Sequence, residues 1–465
     1  MKILKWVSFA AKPLHIEELK EAVAFDILDT AWNPQKVPQP DFIIGCCANL
    51  VVLDPTDYCV RFAHSSVKQY LTKRRDGFLL PTYPFSEDQG QLECGEFCVA
   101  YLSFSNFSMS VEKHEHQQTS AAVPNPASLA GEAIGSTLRH LFRIPKQDTG
   151  STTISIPRIR TASKPKASQF KFLNYAIMNW APQTRLIKQS SPVWDKFQQL
   201  ATNLNETWNF HPWIIPGPSK YSRLHSLLGW AVKERHEPLL SIALNSEKYI
   251  RPICNLPLVE ERLPALHLAS KLGYYDIVKS LLSICNINAV DVEDHTALHH
   301  AASKGYIDIV RLILSTKGAV VDFVAKSKIT PLWLASANGH DNVVSLLIEN
   351  EAKIEARDDL GQTSLCQAAK KGNYSVVELL VKKGANIEAK DYRHGRTPLC
   401  EAAVEGHYSV VELLVRNGAN MEARDNLNWT PLYRAAKNKH VSVVELLAEN
   451  GALINHEQMI TVLGK

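Results

Sequence analysis

The chain has 465 residues and a formal net charge of +4 at pH 7, and 45% of its residues are hydrophobic. At about 150 residues per domain, this length predicts about three structural units. The sequence contains no apolar run of about 18 residues, so we expect no transmembrane helix. The opening segment 1–11 has a short apolar run that Lys5 breaks, and we interpret it as a domain helix and not as a signal peptide.

The nine cysteines are odd in number and scattered along the chain. Cys94 and Cys98 have no partner pair at the spacing of a metal site, and the pattern is not that of a disulfide framework. The cysteines therefore favour a reducing compartment, and we predict a cytoplasmic protein, with the nucleus as the alternative.

Residues 1–75 predict a winged helix, which consists of three helices and a β-hairpin. The apolar positions of 3–10 and 16–23 have helical spacing, Pro13 separates these two segments, and a third helix is predicted near 42–48. The strands 50–53 and 58–63 flank the turn Asp54-Pro-Thr-Asp57, whose residues are typical of a hairpin turn. Ser65 or Ser66 is expected to cap the helix that follows.

The segment between this unit and the repeats is predicted to be helical, with a disordered insert. Residues 76–108 and 169–225 are expected to be helical connectors, with helices in 94–105, 170–181 and 193–201. The linker 109–168 is rich in Ser, Thr, Ala and Pro and is predicted to be disordered. His114 and His116 have no further ligands nearby, and we interpret the basic stretch 158–166 as a plain linker.

A phrase close to Thr-Pro-Leu-His-x-Ala occurs six times in the C-terminal part of the chain. The copies begin at Pro264, Thr296, Thr330, Thr363, Thr397 and Thr430, and the intervals are 32, 34, 33, 34 and 33 residues. This period and this phrase are the signature of the ankyrin repeat. We predict six repeats over 264–455, a degenerate repeat over 226–263 and a tail over 456–465. The fold class is therefore mainly α, with a C-terminal solenoid.

Each copy contains the residues that such a repeat requires. Thr-Pro opens the first helix, paired alanines permit close approach of neighbouring helices, and a glycine such as Gly406 ends that helix. A second helix follows with paired apolar positions such as Val376-Val377 and Leu379-Leu380. Because one repeat cannot bury this face alone, stability comes from stacking on neighbouring repeats.

Two parts of the chain resemble a known family of fungal proteins. The segments 3–14, 16–22, 46–52 and 60–67 are similar to the winged helix named after GPI inositol-deacylase, which in fungal NACHT–ankyrin (NLR-like, STAND) proteins lies between a NACHT ATPase and ankyrin repeats. The order of the parts agrees. No Gly-x-x-x-x-Gly-Lys-Ser/Thr motif occurs in this sequence, so the resemblance implies a protein without its NACHT module, which is then a possible separate partner.

In related nucleotide-switch proteins, a histidine after the last wing strand contacts the nucleotide, and His64 occupies the matching position. Ser65 stands where an acidic residue is frequent in that family. The resemblance alone implies the nucleotide contact. The residues themselves favour a simpler role, in which His64 caps a helix or packs between domains.

A winged helix also raises the alternative of DNA binding. A recognition helix needs exposed cations and groups that read base edges. The predicted third helix is apolar around 43–47, and Lys68, Lys73, Arg74 and Arg75 follow the domain. These residues favour a role in protein packing, and DNA association in a nuclear regulator is the alternative.

No set of residues in the sequence predicts catalysis, a cofactor or a metal. His267 and His299 occupy the histidine position of the repeat phrase, where we expect the ring to bond to the backbone across the turn. Cys366 and Cys400 occupy the same position in later repeats and are predicted to be buried, neutral thiols. We therefore predict a non-enzymatic protein.

The predicted function is protein–protein interaction. Ankyrin arrays bind proteins through their concave face and their turn tips, at positions that do not stabilise the fold. The resemblance to such arrays implies the same binding surface here. Tyr392 and Trp429 are the leading candidates, since aromatic residues are enriched in binding hot spots. The candidate partner-binding residues are Glu293, His295, Lys304, Ile329, Asn338, Leu360, Gln362, Lys371, Tyr392, Arg393, Arg396, Glu405, Leu427, Trp429 and Asn438.

Overall fold

The computed structural model describes residues 2–47, 49–72, 86–104, 170–202, 211–213, 223–245, 247–258 and 261–453. The predicted linker 109–168, with His114, His116 and the basic stretch 158–166, lies outside the described residues. The same holds for Lys73, Arg74, Arg75 and the tail 456–465. None of the described helices is long and apolar enough to cross a membrane.

The N-terminal part contains the predicted three helices and hairpin. Strands β1 and β2 pair antiparallel, with Val51 opposite Phe62 and Leu53 opposite Val60. The third helix begins and ends earlier than predicted, and its start is explained by Pro40, which occupies its first turn. The elements are α1 (Lys2–Phe9), α2 (Ile16–Val23), α3 (Pro40–Gly45), β1 (Val51–Leu53), β2 (Val60–Phe62) and α4 (Ser65–Thr72).

The cap of α4 differs from the prediction. The ring of His64, and not a serine side chain, accepts a hydrogen bond from the backbone N–H of Ser66, with 3.2 Å between Nδ1 and N. The Ser66 hydroxyl lies 2.8 Å from the same ring nitrogen. This bond gives His64 the capping role that the sequence favoured, and its side chain is exposed.

The described residues of the connector form three helices, which pack directly on the first two helices of the winged helix. The indole of Trp6 is 1% exposed and has edge contacts with Phe172 and Tyr175. The buried carboxylate of Glu21 accepts hydrogen bonds from the Tyr101 hydroxyl at 2.9 Å and from the backbone N–H of Phe172 at 2.9 Å. The helices are α5 (Glu87–Leu102), α6 (Leu173–Gln183) and α7 (Trp194–Thr202).

The C-terminal part is a stack of helix pairs, as the period predicts. The first helices contact each other from one repeat to the next, and so do the second helices. The helices before the six phrase-bearing repeats are α8 (Arg223–Lys233), α9 (Glu237–Asn245) and α10 (Glu247–Ile250). The repeat helices are α11 (Ala265–Leu272), α12 (Tyr275–Leu281), α13 (Ala297–Lys304), α14 (Ile307–Ser315), α15 (Pro331–Ala337), α16 (Asp341–Glu349), α17 (Ser364–Lys371), α18 (Tyr374–Lys382), α19 (Pro398–Glu405), α20 (Tyr408–Arg416), α21 (Pro431–Lys437) and α22 (Val441–Glu449).

A histidine two or three residues after the end of the first helix of one repeat bonds back to the first helix of the repeat before it. A Cβ built on Gly406 would lie 2.5 Å from the ring of His440, so only glycine permits this approach. The bonds join Nε2 of His340 to Ser303 O at 3.1 Å, of His407 to Lys370 O at 2.9 Å and of His440 to Val404 O at 2.9 Å.

His236 forms the equivalent bond further upstream. Its Nε2 lies 2.8 Å from the carbonyl oxygen of Ala181, which is in the connector helix α6. The ring is fully buried, and burial lowers its pKa to about 4. The connector therefore continues the stacking arrangement of the repeats, which the sequence phrase did not reveal.

Lys439 occupies the position at which Gly406 ends the first helix of the previous repeat. Its φ is 64°, in the left-handed region that costs a residue with a Cβ about 1 kcal/mol or more. We expect Lys439→Gly to raise the free energy of unfolding by about 1 kcal/mol, measured by urea denaturation. Lys371→Gly is the matched control, because Lys371 is helical, and it should lower stability by about 1 kcal/mol. A destabilised Lys439→Gly variant would contradict the prediction.

Candidate functional site

The loop between consecutive repeats, here called the finger, is built on a buried aspartate, except before Thr330, where Ala325 occupies this position. In three fingers one carboxylate oxygen of this aspartate accepts two backbone N–H groups two and four residues later. The donor–acceptor distances for Asp358, for example, are 2.9 Å from Leu360 N and 2.8 Å from Gln362 N. These bonds fix the turn, so the side chains at its tip have defined positions.

Neighbouring fingers are joined to each other by backbone hydrogen bonds. Tyr392 N donates to Leu360 O at 2.8 Å, and Asn426 N donates to His394 O at 2.8 Å. Two further bonds, from Lys326 N to Glu293 O at 3.1 Å and from Asp359 N to Ser327 O at 2.9 Å, continue the series. The finger tips therefore form a continuous edge along the array.

Three apolar side chains are exposed on successive tips of this edge. Leu360 is 43% exposed, Tyr392 is 67% exposed and Leu427 is 60% exposed. We call these three residues the fingertip ridge. The guanidinium of Arg357 lies 5.5 Å from the centre of the Tyr392 ring, and its Nη1 donates to Gly361 O at 2.8 Å and to Lys390 O at 2.7 Å. The central aromatic ring thus has a fixed support.

The other predicted partner-binding residues differ in their exposure. Gln362 is 3% exposed, and its side-chain oxygen accepts a hydrogen bond from Gln367, so its assignment to a binding surface was wrong. Its side chain belongs to the contact between finger and first helix. The exposed residues are Glu293, Lys304, Asn338, Lys371, Arg393, Glu405 and Asn438, together with the three ridge residues. The half-buried residues are His295, Ile329, Arg396 and Trp429.

Trp429 is held by its own repeat. The Lys437 ammonium lies 3.9 Å from the centre of a Trp429 ring, the Arg434 guanidinium lies 4.2 Å from it, and the Tyr433 ring centre lies at 4.8 Å. Cation–π contacts of this kind stabilise a fold. Trp429 therefore contributes to the packing of the last repeat, and Tyr392 is the better candidate for a partner contact.

A second row of exposed aromatic residues lies at the start of the second helices. Tyr275, Tyr374 and Tyr408 are 40%, 40% and 45% exposed. They share one position of the repeat, two residues after the helix-ending glycine. Alignment of the copies on the end of the first helix would have revealed this row, which the sequence prediction missed because it concentrated on the turn tips.

The histidines of the repeat phrase have the predicted structural role. Nε2 of His267 lies 3.0 Å from His295 O, and Nε2 of His299 lies 3.3 Å from Ile329 O, so each ring spans the adjacent finger. Cys366 and Cys400 are buried, and burial raises their pKa values to about 11 and about 12. These thiols are neutral at physiological pH, as predicted.

The buried histidines make stability depend on pH. Burial lowers the pKa of His267 to about 4 and that of His299 to about 3, from the ordinary value of 6.5. The unfolded chain then binds more protons than the folded chain between pH 6.5 and about 4, so stability falls as pH falls through this window. Each histidine contributes about 1.4 kcal/mol per pH unit in this range.

We expect urea denaturation at pH 7.5 and pH 5 to show this loss. His299→Gln, which removes the titrating ring, is expected to reduce the difference between the two pH values. Leu453→Ala is the control, because it removes no titratable group and Leu453 is 70% exposed, and it should leave the difference unchanged. Equal pH dependence in wild type and His299→Gln would contradict the prediction.

Comparison with known families agrees with this architecture. The family model described as ankyrin repeats matches three times, over residues 228–325, 318–391 and 392–458. The family model described as GPI inositol-deacylase, winged helix domain, matches residues 1–78. Ankyrin repeats serve in protein–protein interaction, and neither matched family is a catalytic domain. The chain therefore contains an N-terminal winged helix of the GPI inositol-deacylase type and a C-terminal array of ankyrin repeats, and such an array is a protein-interaction module.

Proposed function

We propose that this chain is a non-enzymatic recognition protein whose repeats bind a protein partner through the fingertip ridge. The observation that carries the proposal is the exposure of Leu360, Tyr392 and Leu427 on three consecutive, hydrogen-bonded finger tips. Exposed apolar side chains on one edge of a protein are typical of interaction sites. The contacts of Arg357 hold Tyr392 in place before binding, which lowers the entropic cost of association.

The finer part of the proposal concerns the biological context. We infer that the chain is the recognition part of an NLR-like receptor or adaptor, which operates in the cytoplasm together with a NACHT ATPase module. The resemblance of the winged helix and the order of the two domains support this context. The packing of Trp6 and Glu21 on the connector also supports it, since a rigid connection would relay movement of the winged helix to the repeats.

The ridge is tested by binding measurements on the full chain. Cross-linking in the source cells identifies a partner, and calorimetry then compares wild type with Tyr392→Ala. We expect the variant to weaken binding by about 1–3 kcal/mol, as for an interface hot spot. Leu453→Ala is the matched control, because Leu453 is 70% exposed at the end of the array. Equal binding by wild type and Tyr392→Ala would overturn the proposal.

DNA association, the alternative, has less support in the described residues. Helix α3 carries an acidic residue, Asp41, in its first turn and no basic residue in its last turn. The guanidinium of the wing residue Arg61 is paired with Asp54 and Asp57. Binding to a random DNA duplex at increasing salt separates the two functions, because phosphate contacts give affinity a steep salt dependence.

A further inference from the structure

Where a finger has the buried aspartate, its carboxylate lies beside the first helix of its own repeat, and in two repeats a basic side chain of that helix pairs with it. Oδ2 of Asp291 lies 2.8 Å from Nε2 of His300. Oδ2 of Asp425 accepts hydrogen bonds from the Arg434 guanidinium, with Nε at 2.7 Å. His300 and Arg434 occupy the same position of the repeat phrase. In both repeats, a side-chain N–H group from the first helix thus lies within hydrogen-bond distance of Oδ2 of the buried aspartate.

The repeat that begins at Thr397 has a carboxylate at this position. Glu401 replaces the basic residue, and its side chain is 1% exposed, as is that of Asp391. Oδ2 of Asp391 and both carboxylate oxygens of Glu401 are buried and have no hydrogen-bond partner among the described residues. Two carboxyl groups thus face each other where the sister repeats place an N–H donor opposite the aspartate, and burial of carboxylates without hydrogen bonds is costly.

An insertion in this finger brings in a third donor. Asp391 precedes its phrase threonine by six residues, whereas Asp358 and Asp425 precede theirs by five. The longer turn places Nδ1 of His394 3.6 Å from Oδ2 of Asp391. One ligand atom each from Asp391, His394 and Glu401 lie within 4.8 Å of one another. These are the nitrogen and oxygen donors that zinc and similar divalent ions prefer.

The geometry points to a divalent-cation site formed by Asp391, His394 and Glu401 in this finger. Ligands at about 2.0–2.2 Å from a zinc ion lie roughly 3–4 Å apart, so the present spread needs a small rotation of His394. Its side chain is 40% exposed, which permits that movement. The ion would fill the role that His300 and Arg434 have in the other repeats.

Arg396 is the neighbouring cation that the site must accommodate. Its Nη1 lies 3.5 Å from Oε2 of Glu401, and its buried Nε has no hydrogen-bond partner among the described residues. This ion pair leaves both oxygens of Glu401 and Oδ2 of Asp391 without a hydrogen bond to the described residues. Arg396 can remain beside one oxygen of Glu401 while the other oxygen binds the ion.

Titration of the full chain with cobalt, followed by visible absorption, tests the site. We expect one ion per chain with the d–d bands of nitrogen and oxygen ligands and without a thiolate charge-transfer band, and zinc should displace it. Since loss of a supporting partner alone costs about 10–100-fold in metal affinity, Glu401→Gln and His394→Ala should each weaken binding at least about tenfold. Glu401→Gln should remain folded, because Gln367 occupies the same position in the preceding repeat.

The other histidine–aspartate cluster provides the matched control. Asp291, His295 and His300 also lie within ligand distance of one another, but Asp291 already has hydrogen-bonded partners for both oxygens. His295→Ala should leave cobalt binding unchanged. The proposal is overturned if wild type binds no cobalt at millimolar concentration, if Glu401→Gln and His394→Ala bind as tightly as wild type, or if His295→Ala alone removes binding.

Discussion

Leu380→Ala is expected to lower the free energy of unfolding by about 2–5 kcal/mol, because it leaves a cavity in the core of the array. Leu380 is fully buried in α18, in the face that stacks on neighbouring repeats. Stability in a repeat array is mostly a sum over neighbouring interfaces, so a defect in a central repeat weakens the contacts on both sides. Urea denaturation followed by circular dichroism measures the loss.

Leu360→Ala is the control for this prediction. It removes the same atoms from a side chain that is 43% exposed at a finger tip, so we expect stability to change by less than about 0.5 kcal/mol. Equal losses in the two variants would contradict the assignment of Leu380 to the core and of Leu360 to the surface.

Trp6→Ala is expected to cost about 3–5 kcal/mol, the range for truncation of a buried aromatic residue. The indole packs against Phe172 and Tyr175 across the boundary between winged helix and connector, with ring centres 5.2 Å and 5.8 Å away. Loss of these contacts should also separate the unfolding of the winged helix from that of the repeats. Calorimetry of the full chain would then show two transitions.

Trp32→Ala is the comparison for Trp6. Trp32 is only partly buried against the same core, and its ring has an edge contact with Tyr101 at 5.9 Å. We expect a smaller loss and a transition like that of wild type. A Trp6→Ala chain as stable as wild type would mean that the winged helix does not depend on the connector.

Local rules predicted the repeat fold and the role of its conspicuous residues. The positive φ of Gly406 follows from the end of a helix, and the structural role of His267 follows from its place in the phrase. The same rules failed for Gln362, because its burial depends on a contact with Gln367 in the next helix. A turn tip looks polar and exposed in sequence whether or not its side chain bonds inward.

The cluster around Glu401 was missed for a related reason. Each residue is unremarkable by itself, and the feature appears only when finger and helix are compared across repeats. Asp391 faces Glu401, whereas Asp425 in the next repeat faces Arg434. The finger that begins at Asp391 is also one residue longer. The role of α6 as a partner for His236 was equally hidden, since that helix carries no copy of the repeat phrase.

Hydrogen–deuterium exchange on the full chain, with and without its bound protein partner, tests the central claim most directly. The account predicts that partner binding slows exchange in the fingers 358–362, 391–396 and 425–429, and leaves exchange in the winged-helix strands 51–53 and 60–62 unchanged. Slower exchange confined to the winged helix, with no change in these three fingers, would contradict the assignment of the fingertip ridge as the recognition surface.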